Sequence, residues 1–152
     1  MFLKLQGVTG EAGDAEHKGE IEVVSWTWGL HTPTSVATGQ AAGRTTLAEL
    51  QIVKRVDQAT PTLMGFLKLN KLVDTGKLTV RKAGKTPLEY FTIELQNVRV
   101  TSIKTESENA ELVERVNLGF NKIKVSYTPQ DSSTGAKGGG ANVFEAEAHP
   151  AP

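Results

Sequence analysis

The chain has 152 residues, of which 38% are hydrophobic and 22% are charged, and its formal net charge is zero. This length fits one folded domain, and the composition lies far from that of disordered chains. The balanced charge disfavours a generic binder of nucleic acids or anionic membranes. The absence of cysteine excludes disulfides, a thiol nucleophile and cysteine-based metal sites. No apolar run approaches the roughly 18 residues of a membrane-spanning helix, and the amino terminus lacks the pattern of a cleaved secretory signal.

The first third of the chain predicts strands. Residues 2–5 form a short apolar run, and residues 20–29 form a second one. In the second run the apolar residues alternate with glutamates up to Val23, and from Val24 onward they take the opposite phase. One extra residue in a strand moves every later side chain to the other face, so this phase change predicts a bulge.

A long loop is predicted at about residues 32–46. Its one large apolar residue is Val36, and the rest is rich in threonine, glycine and alanine. Such a segment cannot pack a core, and loops of this length in a compact domain are functional or disordered. A further strand is predicted after it, at residues 47–56.

A single helix of about three turns is predicted at about residues 60–72. Thr60 suits the position that caps the helix amino terminus, and Pro61 suits the first helical position. Apolar residues at helical spacing follow, which predicts one buried face. Gly76 is assigned to the turn after the helix.

The second half carries the strongest strand signal. Strands are predicted at 78–81, 91–100 and 112–127, separated by turns at 82–87 and 106–109. The two longer strands each change phase once, which is how a sheet bends into a barrel or a sandwich. Mainly β architecture with one helix therefore follows from the sequence pattern.

The chain end differs in composition from the rest. Residues 131–140 are rich in serine and glycine, which predicts a flexible segment. Val143 and Phe144 could add one short edge strand. We therefore divide the chain into a β domain at 1–130 and a tail at 131–152.

The sequence contains no recognisable enzyme signature. The three histidines, His17, His31 and His149, lie far apart in sequence and in no metal-binding motif. Ser25, His31 and Asp14 can be named as a nucleophilic triad, but no nucleophile-elbow motif supports them. Solvated or structural roles are expected for these residues, and no cofactor or metal is expected.

Other polar and aromatic pairs favour structural explanations. Glu20 and Glu22 share a strand face, as paired glycosidase carboxylates would, but a solvated face is the more economical interpretation. The glycines at 138–140 lack the lysine and the strand-to-helix context of a phosphate loop. Trp26 and Trp28 share a phase and suit a core or an interface.

A resemblance covers residues 1 to about 130. The segments that carry it are MFLKL at 1–5, GE at 10–11, Asp14, His17, IEVVSWTWG at 21–29, VD at 56–57, TPTLM at 60–64, KLTVRKAG at 77–84, EY at 89–90, NLGF at 117–120 and VSYTPQ at 125–130. Together, in this order, they resemble the haemolysin-coregulated protein (Hcp) family, the tube protein of bacterial type VI secretion systems. The tail departs from the aromatic pattern that family members often carry near the end.

The resemblance implies a small β-barrel of two curled antiparallel sheets with one flanking helix. It implies hexameric rings that stack into a hollow tube inside a contractile sheath, with the spike protein VgrG at its tip and small effector proteins in the lumen. Such a subunit has no catalytic activity. It assembles in the bacterial cytoplasm and is then secreted without a cleaved signal.

The resemblance also implies roles for particular residues. The ring-stacking loop comprises Pro33, Thr34, Ser35, Val36, Thr38, Gln40 and Arg44. The contact with the lumen or its cargo comprises Glu106, Ser107, Glu108 and Asn109. Trp26 and Trp28 are assigned to the core or the subunit seam, and His17 is expected to hold the loop before the second strand.

Two alternatives differ in what they predict. A phage-like tail-tube protein would assemble in the same manner and would differ in its genome neighbourhood. A small β-barrel module that binds carbohydrate or lipid would stay monomeric, and it would have an apolar pocket around Trp26 and Trp28.

Overall fold

The computed structural model describes residues 1–82, 88–130 and 140–148. Its strands are β1 Phe2–Leu5, β2 Ile21–Glu22, β3 Ser25–Thr27, β4 Leu30–His31, β5 Thr46–Leu47, β6 Leu50–Arg55, β7 Val73–Lys82, β8 Leu88–Glu108, β9 Glu111–Gly119, β10 Lys122–Tyr127 and β11 Asn142–Glu147. The helix α1 covers Ala59–Leu69. The chain is mainly β, as predicted.

Strand β8 is the centre of the architecture because its two halves pair with different neighbours. Its first half lies between β7 and β10, and its second half pairs with β9. Between the halves, Asn97 has a φ of +54°, and the register shifts between Val100 and Ser102. Asparagine tolerates this left-handed conformation better than most residues do. The phase change predicted within this strand corresponds to this bend.

The pairing produces two antiparallel layers that share β8. One runs β2, β1, β7, β8, β10, β11, and the other runs β8, β9, β6, β3. Residues 21–27 pass from the first layer to the second: the Val23 N–H donates to the Met1 carbonyl, and the Val24 N–H donates to the Val53 carbonyl. The phase change predicted between Val23 and Val24 therefore marks the point where the chain passes from one layer to the other.

The predicted small β-barrel of two curled sheets is not confirmed, because in the part of the chain that the structure describes the sheets do not close into a barrel. Among the described residues, β2 and β3 end the path of paired strands and do not pair with each other. The two layers still face one core, built from side chains such as Leu3, Leu78 and Ile93 of the first layer and Ile52 and Val116 of the second.

The helix begins and ends earlier than predicted. Its first turn is capped by Asp57, whose Oδ1 accepts a hydrogen bond from the Ala59 N–H at 2.9 Å. The predicted cap, Thr60, is instead buried, and its hydroxyl donates to Glu114. The helix ends at Asn70, which has a left-handed φ of +50° and donates its N–H to the Leu67 carbonyl.

Two other predictions were wrong in detail. Gly76 lies within β7 and not in a turn, and a Cβ there would approach the Leu5 Cδ1 to 3.2 Å, so close strand packing explains the glycine. The predicted strand at 112–127 divides at residues 120–121 into β9 and β10, which pair with different halves of β8. Residues 83–87 of the predicted turn and residues 131–139 of the predicted flexible segment lie outside the described residues.

Candidate functional site

The predicted long loop is a narrow hairpin that we call the arm, residues 30–47. Its base is a two-stranded ladder in which Leu30 lies opposite Leu47. Above the base, the hydroxyls of Thr32 and Thr45 are 2.6 Å apart. Nearer the tip, the Ser35 N–H donates to the Gln40 carbonyl at 2.8 Å. Backbone and hydroxyl hydrogen bonds therefore hold a segment that has no core of its own.

The side chains of the arm are exposed or half-buried, and Leu47 at its base packs against the core. No residue at 30–47 is buried, and Val36 near the tip is 99% exposed. The structure places the residues assigned to ring stacking on this arm; they are Pro33, Thr34, Ser35, Val36, Thr38, Gln40 and Arg44. An arm with no fully buried side chain gains little stability from packing on its own subunit.

The two tryptophans lie near the root of the arm. The Trp26 ring stacks on Phe91 of β8 with 5.4 Å between ring centroids, so it bridges the two layers. The Trp28 Nε1–H donates to the Ala48 carbonyl at 2.8 Å, just beyond the last residue of the arm. Both are partly buried, Trp26 against the core and Trp28 against the base of the arm.

A second hairpin tip joins β8 to β9, and we call residues 106–112 the turn. Its central residues, Asn109 and Ala110, have φ values of +50° and +63°, as in a two-residue type I′ turn. Glu106 accepts a hydrogen bond from Arg115 at 3.0 Å. Glu108 and Asn109 help to line a shallow recess of about 280 Å³.

The register of the strands places the arm and the turn at opposite ends of the second layer. Strands β6 and β9 are antiparallel, with Leu50 opposite Leu118 near the arm and Arg55 opposite Val113 near the turn. The six residues of β6 span about 20 Å at 3.3 Å per residue. The two sets of residues assigned to stacking and to cargo contact therefore do not form one site.

A buried ion pair near the turn was missed by the sequence analysis. Lys54 and Glu114 face each other across β6 and β9, are both fully buried, and have Nζ and Oε1 2.5 Å apart. Lys54 also donates to Asp57 at 2.8 Å and to the Thr60 hydroxyl at 3.3 Å. The group ties the start of α1 to the second layer. A signal existed, because Lys54 follows Leu50 and Ile52 in the inward phase.

His17 lies in a second polar cluster, in the loop before β2. Its ring is buried and stacks on Phe2 with 4.5 Å between centroids. Its Nδ1 is 2.9 Å from a Glu20 carboxylate oxygen, and its Nε2 is 2.5 Å from a Glu89 carboxylate oxygen. Burial of the ring opposes protonation, but these hydrogen bonds outweigh that effect and raise the pKa of His17.

An ion pair flanks this cluster. The Arg81 guanidinium donates two hydrogen bonds to the Asp14 carboxylate. These bonds, together with one from the Glu16 backbone N–H, lower the pKa of Asp14 to about 2. Within the described residues, no hydrogen bond joins Asp14, Ser25 and His31, so the geometry does not bring the nominal triad together.

No helix among the described residues is both long enough and apolar enough to cross a bilayer.

Comparison with known proteins identifies the family. A family profile described as "Type VI secretion system effector, Hcp" matches residues 2–127. Protein hcp1 of Pseudomonas aeruginosa is 39% identical over 145 residues, which cover 92% of this chain and 89% of that protein.

Solved structures agree with this assignment. A type VI secretion system effector from Yersinia pestis has a TM-score of 0.78 at 26% identity, over 96% of this chain and 98% of that one. Hcp1 from Salmonella typhimurium has a TM-score of 0.77 at 28% identity, over 96% and 92% of the two chains. The chain belongs to the Hcp family of the type VI secretion system.

Proposed function

We propose that this chain is the tube subunit of a type VI secretion system. Six copies close into a ring, and rings stack into a hollow tube inside a contractile sheath. The spike protein VgrG caps the tube, and small effector proteins travel in its lumen. The role needs no catalysis. The observation that carries this proposal is the arm, which projects without a single buried side chain from a chain of the Hcp family.

A closed ring needs two different patches on each subunit, because each copy meets its two neighbours through different surfaces. Unpaired strand edges are suitable material for such patches. Within the described part of the chain, β11 pairs only with β10, and β3 pairs only with β6, so the chain has a free edge on each layer. Val143 and Phe144 on β11 are exposed apolar side chains that a neighbouring subunit would cover.

Stacking of rings is assigned to the arm. The arm and the turn project from opposite ends of the second layer, so an arm that reaches out of one ring meets the next ring along the tube. Val36 then becomes buried at the contact, and the polar residues around it find hydrogen-bond partners. A stacking contact built from an arm leaves the ring interface independent of it.

The contact with cargo is assigned to Glu106, Ser107, Glu108 and Asn109 at the turn. A small acidic hairpin tip offers carboxylates and an amide to a passing protein, beside one exposed apolar side chain, Leu112. The subunit assembles in the cytoplasm and leaves the cell by sheath contraction.

Native mass tests this proposal most directly. Light scattering of the purified chain across a range of concentrations is expected to give a particle near six times 16.3 kDa. Electron microscopy of the same sample is expected to show annuli. A chain that stays monomeric at high concentration would contradict the proposal. It would favour the small binding module, to be tested by ligand screening around Trp26 and Trp28.

A further inference from the structure

The cluster around His17 places ligand atoms of three residues together in a way that the tube function does not explain. One ligand atom each from Glu16, His17 and Glu89 lies within 4.8 Å of the others. We propose that these three residues bind a divalent transition-metal ion, and that Zn²⁺ suits them best. Glu20 orients the imidazole through the other ring nitrogen, Nδ1.

The two carboxylates on the His17 ring are the first argument. An ionised carboxylate only accepts hydrogen bonds, and a neutral imidazole has one N–H to donate. Glu20 faces Nδ1 at 2.9 Å, and Glu89 faces Nε2 at 2.5 Å. One of these two contacts therefore needs a second proton, on the imidazole or on a carboxyl group. A metal ion bound to Nε2 and to the carboxylates would replace that proton, and Nε2 and the Glu89 oxygen would move apart to make room for it.

The position of Glu20 decides which nitrogen is the ligand. Metal-binding histidines commonly donate their other ring N–H to a carboxylate, which fixes the tautomer and makes the ligand nitrogen more basic. With Glu20 accepting from Nδ1, the lone pair of Nε2 points toward Glu89. The Glu16 carboxylate makes no hydrogen bond within the described residues, so it is available as the third ligand.

The ring is held in place before any ion arrives. His17 is 7% exposed and stacks on Phe2 with an angle of 7° between the rings. Its backbone N–H donates to the Asp14 carbonyl at 3.2 Å, and its carbonyl accepts from the Glu20 N–H at 3.0 Å. A ligand fixed by packing and by backbone turns loses little freedom when it binds.

The local charge also favours a dication. Glu16, Glu20 and Glu89 contribute three carboxylates around one imidazole, while the nearby Arg81 is already neutralised by its two hydrogen bonds to Asp14. The side chain of Lys18 makes no ion pair among the described residues. A nitrogen ligand with two carboxylates is a set that suits Zn²⁺ better than Mg²⁺ or Ca²⁺, which prefer oxygen alone. Three protein ligands leave one position for water.

Bound metal would join the loop before β2 to the first residues of β8. Glu16 and His17 lie on the loop, and Glu89 lies 72 residues after His17 in sequence. The ion thus acts as a cross-link of a long chain segment. This role does not depend on the assignment of the arm or of the ring.

The test uses the full chain, treated with a chelator and dialysed, then titrated with ZnCl₂ in a calorimeter. The expected result is one Zn²⁺ per chain and a rise of several degrees in the thermal unfolding midpoint at excess metal. Co²⁺ is expected to give visible absorption bands of a low-symmetry site. His17→Gln is expected to abolish binding, and Glu16→Gln and Glu89→Gln to weaken it at least tenfold. Glu20→Gln, which changes a positioning residue, is expected to weaken it by about 10- to 100-fold.

His31→Gln and Glu22→Gln are the matched controls, because they remove the same kinds of group from exposed positions on β4 and β2, outside the cluster. They are expected to bind Zn²⁺ as the parent does. If His17→Gln does not fold, Glu16→Gln still tests the proposal, because Glu16 is exposed and its replacement is not expected to disturb folding. Failure of the parent chain to bind Zn²⁺, or equal affinity in the parent and in Glu16→Gln, would overturn the proposal.

Discussion

The arm and the turn are both hairpin tips of the second layer, yet they are held by different forces. The turn caps β8 and β9, which carry buried residues such as Val113 and Val116. A buried ion pair, Lys54–Glu114, lies beneath it. The arm rests on a two-residue ladder and has no fully buried side chain. The order of the turn is thus a property of the subunit, whereas the arm has most of its contact surface left to offer to another molecule.

Removal of the arm is expected to have the largest effect on assembly and little effect on the stability of the subunit. Replacing residues 33–44 with a short glycine–serine link is expected to leave the ring and the unfolding midpoint nearly unchanged, since no buried side chain is lost. Stacked tubes are expected to disappear. Light scattering and electron microscopy measure both outcomes. Val36→Ser serves as a milder companion variant, and tubes that persist in the deletion variant would contradict the assignment.

Breaking the ion pair under the turn should produce the largest change in stability. Lys54→Met is expected to lower the free energy of unfolding by about 3–5 kcal/mol, because the buried Glu114 carboxylate loses its counter-charge. Chemical denaturation of a subunit kept below its assembly concentration measures this. The double variant Lys54→Met with Glu114→Leu is expected to recover much of the loss. A double variant as unstable as the single one would show that packing, and not charge, dominates there.

The backbone of the turn offers a stabilising change. Ala110 has a φ of +63°, a conformation that costs a residue with a Cβ about 1–2 kcal/mol. Ala110→Gly is therefore expected to raise the free energy of unfolding by about 1 kcal/mol, after the greater freedom of glycine in the unfolded chain is subtracted. Ala48→Gly, at an exposed residue without a positive φ, is the control and is expected to lower stability slightly.

The surface charge of the turn should matter least for stability. Glu106→Lys with Glu108→Lys breaks only the partly exposed pair with Arg115, so the loss is expected to stay below about 1 kcal/mol. Rings and tubes are expected to form as before, while the amount of effector that copurifies with them changes. Glu22→Lys is the control for a charge change elsewhere. Unchanged retention of effector would remove the turn from the cargo contact.

The sequence predicted the strands and the long loop well because these features depend on the pattern of neighbouring residues. Alternation of apolar residues located most strands, and the phase changes at residues 23–24 and within β8 marked real changes of partner. A long segment with a single large apolar residue, Val36, marked the arm. Each of these signals depends on neighbours within a few residues, which is the range that periodicity can report.

The rest depends on contacts between distant residues. Thr60 is not the helix cap because the helix begins before it, at Ala59, whose N–H donates to Asp57. Its hydroxyl instead joins the buried cluster with Glu114, 54 residues later. Gly76 is needed where Leu5 approaches the strand, and His17 finds Glu89 across 72 residues. Residues 112–127, predicted as one strand, form two strands because β10 pairs with the first half of β8 and β9 with the second. Local sequence patterns do not indicate contacts between such distant residues. The cluster around His17 could therefore not be predicted from the sequence.

Strand β8 has a mechanical consequence for any assembly of this chain. Its 21 residues run without interruption through both layers, a contour of about 70 Å. A pull on one layer is therefore transmitted to the other through the covalent backbone of this strand. The strand changes direction at Asn97 but continues into the second layer. In an assembly of many copies, a force on one layer of a subunit therefore acts on both of its layers.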